Sequence, residues 1–183
     1  MERILFVLLV VMYSCVAQAQ YPMENYIGTW RYEEGDTVFT VKLVEGETLN
    51  KGKLHTVLDI RYLFGGYSLS VKGKILENYI DDIHTQWFLG GGKGSEQHIY
   101  IRGAYRPKRR FNGFTFYDQR MKHFDGNGIT GGSLELIAPN KLHWILNEKI
   151  GIWNATEGLE DWVEVKPIGF SVPTDVIMTK VDE

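Results

Sequence analysis

Apolar and polar positions alternate along most of the chain. In Val38-Phe39-Thr40-Val41-Lys42-Leu43, Phe39, Val41 and Leu43 fall on one face and Thr40 and Lys42 on the other. That period of two predicts a half-buried strand. The stretch 54–62 alternates again, with Leu54, Leu58, Ile60 and Tyr62 on one face and His55, Asp59 and Arg61 on the other. A turn is expected at Gly65-Gly66, after which Tyr67, Leu69 and Val71 resume the pattern. Further strand-like runs lie at 97–105, 111–117, 133–138, 142–147, 161–165 and 171–180. Turn-forming residues separate them at Gly35-Asp36, 46–52, 90–94, 125–132 and Pro139-Asn140.

No window carries a helical stripe. The best candidate, 156–162, is about two turns long and is interrupted by Gly158. The pattern therefore predicts an all-β domain. Short connections make sequential neighbours pair antiparallel, and strands joined in order close readily into a barrel. The expected fold is a single antiparallel up-and-down β-barrel of about 8–10 strands, with a two-sheet sandwich as the alternative.

The first residues follow a different pattern. Arg3 gives a basic start, residues 4–12 (ILFVLLVVM) are apolar throughout, and Ala17-Gln18-Ala19 is a small-x-small cleavage site. This is the layout of a secretory signal peptide, and the apolar run falls short of the roughly 20 residues that span a bilayer. The expected organisation is a signal peptide over 1–19 and one barrel domain over 20–183. The expected destination is the periplasm or the medium. Lipid anchoring through Cys15 is the lesser alternative, since bulky Tyr13 sits where that signal uses small residues. Cysteine usage then changes the picture. Cys15 is the single cysteine of 183 residues, so cleavage after Ala19 leaves no disulfide, no thiol nucleophile and no cysteine metal ligand. Charge excludes more. The chain carries 20 basic and 23 acidic residues, a net −3, and the leader removes one of each sign. That balance argues against a nucleic-acid partner.

Gly28-Thr29-Trp30, followed by a strand and a turn, resembles the Gly-x-Trp opening of lipocalins. The resemblance implies a lipocalin-like barrel in which Trp30 plugs the closed end and Gly28 lets the chain enter tightly beneath it. Lipocalins set a late arginine over that tryptophan. No arginine follows Arg120 here, so the resemblance gives that place to Lys149 or Lys166. Across most of the chain, the combination of "GTW", "DTVFTVKL", "GGY", "GGSLELIAPNKLHWIL" and "GFSVPTDVIMTK" is similar to a family of small exported bacterial proteins of unknown function. That likeness implies the barrel and the export, and no activity.

Candidate chemistry is sparse. His55, His84, His98, His123 and His143 are scattered, and no two share the spacing that sets paired ligands on one helix or strand face. "DGNGITGGSLEL" starts like a calcium loop at Asp125 and Asn127. It then puts Ile129 at position five, Thr130 at the turn glycine and Leu136 at the closing glutamate. "LGGGKGS" lacks the first glycine of a phosphate loop and the Ser or Thr after lysine. "RPKRRFNGFTFYDQRMK" combines Arg106, Lys108, Arg109 and Arg110 with Phe114 and Phe116. On an acidic exported chain it reads as a solvated basic turn over core rings. No Gly-x-Ser-x-Gly elbow occurs, strand serines such as Ser68 and Ser133 have no recognisable base, and Asp81-Asp82 and Glu160-Asp161 are adjacent, so on strands their members face opposite ways. No enzyme, metal or cofactor is expected.

Aromatics point to a ligand: five Trp, ten Tyr and nine Phe exceed what a lean core needs, and aromatic pockets suit apolar molecules. The sequence reading is a small apolar ligand or lipid lined by Phe39, Val41, Leu58, Tyr62, Phe116 and Trp144. The alternative is a cell-envelope protein partner docked on the barrel's surface without a ligand cavity.

Overall fold

A computed structural model describes residues 21–50, 53–54, 61–89, 100–105, 112–123, 128–147, 152–153, 164–165 and 169–181. A 3-10 turn at Met23–Asn25 precedes the strands. They are β1 (Gly28–Glu34), β2 (Thr37–Asn50), β3 (Lys53–Leu54), β4 (Arg61–Val71), β5 (Lys74–Asn78), β6 (Gln86–Leu89), β7 (Ile101–Tyr105), β8 (Asn112–Phe116), β9 (Ile129–Ala138), β10 (Lys141–Ile145), β11 (Ile152–Trp153), β12 (Glu164–Val165) and β13 (Asp175–Val181). Among the described residues, no helix is long and apolar enough to cross a membrane.

Eight of these strands close into an antiparallel barrel: β1, β2, β4, β7, β8, β9, β10 and β13, ending where β13 pairs β1. The barrel, not the sandwich, is therefore the fold. Thr29↔Val181, Trp30↔Lys180 and Arg31↔Thr179 make the closing register. β2 overruns the wall, and its far end pairs β3 and, in parallel, β6. β4 is shared: Ser68–Val71 takes β5, while Arg61–Gly65 takes β7.

The alternation of β2 buries Phe39, Val41 and Leu43, as read from the sequence. The reading of β4 needs two corrections. Gly65-Gly66 is not a turn but the middle of one continuous strand. Leu63, Tyr67 and Leu69 are consequently the core face, and Tyr62 lies on the opposite one, beside Phe64 and Gly66. Leu58 lies outside the described residues, as do the helix candidate 156–162, the basic turn 106–110 and the glycine loop 90–95. A Cβ on Gly66 would sit 2.1 Å from the Tyr79 carbonyl oxygen, and Tyr79 N–H donates to Tyr67 O at 2.8 Å. The strand needs glycine there because another backbone lies against it. Gly66→Ala should cost about 1–3 kcal/mol by overpacking, read as a lower urea midpoint with unchanged slope. An unchanged midpoint would show that the crossing segment gives way freely.

Candidate functional site

The two ends of the barrel are closed by different means. At the end where β1 begins, Trp30 is wholly buried and its indole N–H donates to Tyr26 O at 2.8 Å. Met23 and Tyr26 are buried with it. Lys149 and Lys166 lie outside the described residues; among the described residues the lysine over Trp30 is Lys180 of β13, across the register from it. Its ammonium stands 5.3 Å from the ring centroid, and 3.4 Å from Asn25 O. Gly28 adopts φ +126°, a conformation that calls for glycine, while a Cβ there would lie 2.8 Å from Lys180 Cε, at the end of a side chain that can shift. Arg61 clips this N-terminal plug. It reaches Glu45 with two bonds of 2.8 and 2.7 Å and Glu24 with one of 2.5 Å. Those bonds hold both carboxyls below the usual carboxylate range.

The middle is filled. Phe39, Val41, Phe116 and Trp144 are each 0% exposed, so no water-sized space touches them. Trp144 meets Phe39 edge-on at 5.5 Å, Phe116 at 5.7 Å and Phe114 at 4.8 Å. Of the six residues read as ligand-lining, these four come together, Tyr62 faces the other way, and Leu58 lies outside the described residues.

The opposite end holds a polar cluster that the sequence reading missed. The segment Gly169–Thr174 crosses this end as an irregular strap before β13 begins, so the strand expected over 171–180 starts only at Asp175. Val172 is buried, Phe170 lies 6.2 Å from the Phe116 ring, and Trp144 Nε1–H donates to Pro173 O at 3.0 Å. Two buried carboxylates receive the strap: Glu77, 3% exposed, and Asp118, 2% exposed. Ser171 N–H donates to Asp118 Oδ2 at 2.6 Å. Ser171 Oγ lies 2.9 Å from Glu77 Oε2 and 2.8 Å from Asp118 Oδ1. Asp118 Oδ1 also accepts Arg120 N–H at 3.0 Å and Met121 N–H at 2.8 Å. Tyr67 O–H donates to Glu77 Oε1 at 3.0 Å, and Gln119 N–H donates to the Tyr67 oxygen at 3.1 Å. His123 braces the strap's start through Nε2 to Gly169 O at 2.7 Å.

Burial is the first cause that raises the Glu77 carboxyl above its usual range, with Asp118 adding to it. Burial likewise raises the Tyr67 and Tyr79 hydroxyls. Around the cluster, Tyr79 stacks on Tyr100 at 4.7 Å, and Tyr100 O–H donates to Asp82 Oδ2 at 2.6 Å. The end therefore joins a packed cluster of aromatic rings to buried polar groups that tether the strap.

The other histidines stand apart. His143 Nε2 is 2.6 Å from Asp175, His84 is 3.8 Å from Asp82, and His55 and His98 lie outside the described residues. Among the described residues no three His, Cys, Asp or Glu side chains gather as metal ligands.

A family described as a family of unknown function (DUF6705) matches residues 1–181. No curated protein and no solved structure matches the chain.

Proposed function

The chain belongs to that DUF6705 family of unknown function, and on that premise we propose that it is an exported lipocalin-like barrel that takes up a small apolar ligand beneath the strap Gly169–Thr174. The carrying observation is the unequal closure of the two ends. The plug end is built into β1 and tied by Arg61 through three bonds to Glu45 and Glu24. The strap end is crossed by irregular chain, anchored on the side chains of Glu77, Asp118 and Trp144, with Phe170 beside Phe116. Burying two carboxylates costs stability unless every lone pair is used, and a barrel that needed only to be sealed would use apolar residues there. Lifting the strap removes Phe170 and Val172 and leaves an aromatic bowl with polar anchors at one side, the usual make-up of a small-molecule site. The filled middle confines the ligand to this end. The leader over 1–19 supports export to the periplasm or the medium.

The filled middle also favours a second reading, a cell-envelope interaction module that works from its outer surface. One experiment separates the two. The mature protein purified from cells is examined by native mass spectrometry, and a lipid panel is titrated against tryptophan fluorescence. A ligand carrier shows a bound mass or saturable quenching. Ser171→Ala strengthens it, because apparent affinity rises with the fraction of open strap. Absence of both signals in wild type and in Ser171→Ala overturns the carrier and leaves the interaction module.

A further inference from the structure

We propose that the strap is a proton-operated lid: one proton held along Glu77, Ser171 and Asp118 keeps Gly169–Thr174 shut over the barrel end, and its loss from Glu77 frees the strap. As a gate for a ligand this rests on the carrier reading; as a movement of the strap it does not.

The argument is a count of hydrogens. The Ser171 hydroxyl has one proton and two carboxylate oxygens within 2.9 Å. It donates to one of them only. With both acids ionised, the other contact is lone pair against lone pair inside a site nearly closed to water. Asp118 already accepts three backbone N–H groups, from Arg120, Met121 and Ser171, so the added proton has room on Glu77. The chain is then complete. Gln119 N–H donates to Tyr67, Tyr67 O–H to Glu77 Oε1, Glu77 Oε2–H to Ser171 Oγ, and Ser171 O–H to Asp118 Oδ1.

The groups facing Glu77 all bear on that proton. Tyr67 of β4 and Ser171 of the strap hydrogen-bond the carboxyl and favour its charged form. Arg120 attracts the charge more weakly, while burial and Asp118 oppose it and prevail. Tyr79, next to the cluster, keeps its hydroxyl neutral through burial. When Glu77 loses its proton, two like charges share one hydroxyl. Glu77 is fixed by β5 and Asp118 by the turn it caps. Ser171, on irregular chain, is the member that moves.

The direction follows from linkage. The closed state holds the proton to higher pH than the open state, where Glu77 meets water and titrates at the ordinary value of a free carboxyl. The latch is at full strength below that value. Above it the open population rises about tenfold per pH unit, and it levels off once pH passes the raised value of the closed state.

The test is amide hydrogen exchange of residues 170–174, each divided by the β2 amides as internal reference, from about pH 4 to about pH 8. Wild type should show the one-proton slope and then a plateau. Glu77→Gln should lose that slope, because a carboxamide donates to Ser171, accepts from Tyr67 and does not titrate. Should Glu77→Gln not fold, the carboxyl carbon of Glu77 in wild type, followed by NMR, must titrate together with the strap amides. A flat wild-type profile, an equal slope in Glu77→Gln, or a Glu77 carboxyl that titrates without the strap overturns the proposal. No ligand enters this experiment, so its failure and the failure of the carrier reading are separate results.

Discussion

Trp144→Ala should lower the free energy of unfolding by about 3–5 kcal/mol, the largest loss expected from one side chain in this barrel. Trp144 is fully buried and stands where three walls meet. Phe39 of β2 and Phe114 and Phe116 of β8 all touch its ring. Truncation leaves a void that these rings do not fill freely, because two of the three are held by Tyr67: Phe39 at 6.3 Å and Phe116 at 5.1 Å. The indole bond to Pro173 is lost as well, so the strap loosens together with the core. Guanidinium denaturation reads the first effect and amide exchange at 172–174 the second. A loss under about 1 kcal/mol would mean that the rings collapse into the space, and the filled middle would then be far softer than its burial implies.

Asp118→Ala comes next, at about 3–4 kcal/mol, since each buried donor left without an acceptor costs about 1–3 kcal/mol and water offsets part of it. The carboxylate ends three backbone N–H groups and the Ser171 hydroxyl at once. Its role differs from that of a surface acid, where an ion pair contributes about 0–1 kcal/mol. Asp118→Asn should lose less, because its amide oxygen still accepts where Oδ1 stood while its N–H2 faces one donor it cannot serve. Equal losses for Ala and Asn would place the whole effect in charge rather than in hydrogen bonding. Equilibrium denaturation of the two variants beside wild type decides it.

How much of this was legible depends on whether the signal was local. β2 was, because Phe39, Val41 and Leu43 alternate with Thr40 and Lys42 without interruption. Trp30 at the start of β1 was also legible, through Gly28 two residues before it. β4 was misread because two adjacent glycines look the same in a turn and in a strand crossed by another backbone. The signal that separates them lay on either side: Leu63 and Tyr67 have the same parity, so one unbroken strand keeps both on one face, and a turn there was not needed. That error moved the core face from Leu63 to Tyr62. Lys180 carries no local mark in sequence; its place over Trp30 follows only from the pairing of β13 with β1 that closes the barrel. The polar cluster had no local trace. Ser171 reaches Asp118 across 53 positions and Glu77 across 94. A buried acid in an edge strand such as β5 reads in sequence like any solvated one.

The pairing of β1 with β13 sets the order of assembly. Lys180 meets Asn25 across 155 positions, and loop closure over such a span is entropically slow compared with forming a hairpin. Hairpins β1–β2 and β9–β10 have short connections and can form early, but β1 keeps one row of backbone donors and acceptors unsatisfied until the final strand arrives. A chain delivered N-terminus first therefore spends its longest interval as an open, curled ribbon with a sticky leading edge. Nucleating the seal is the work of β13, the seven residues Asp175–Val181, and a chain that stops short of them has a wall but no way to shut it.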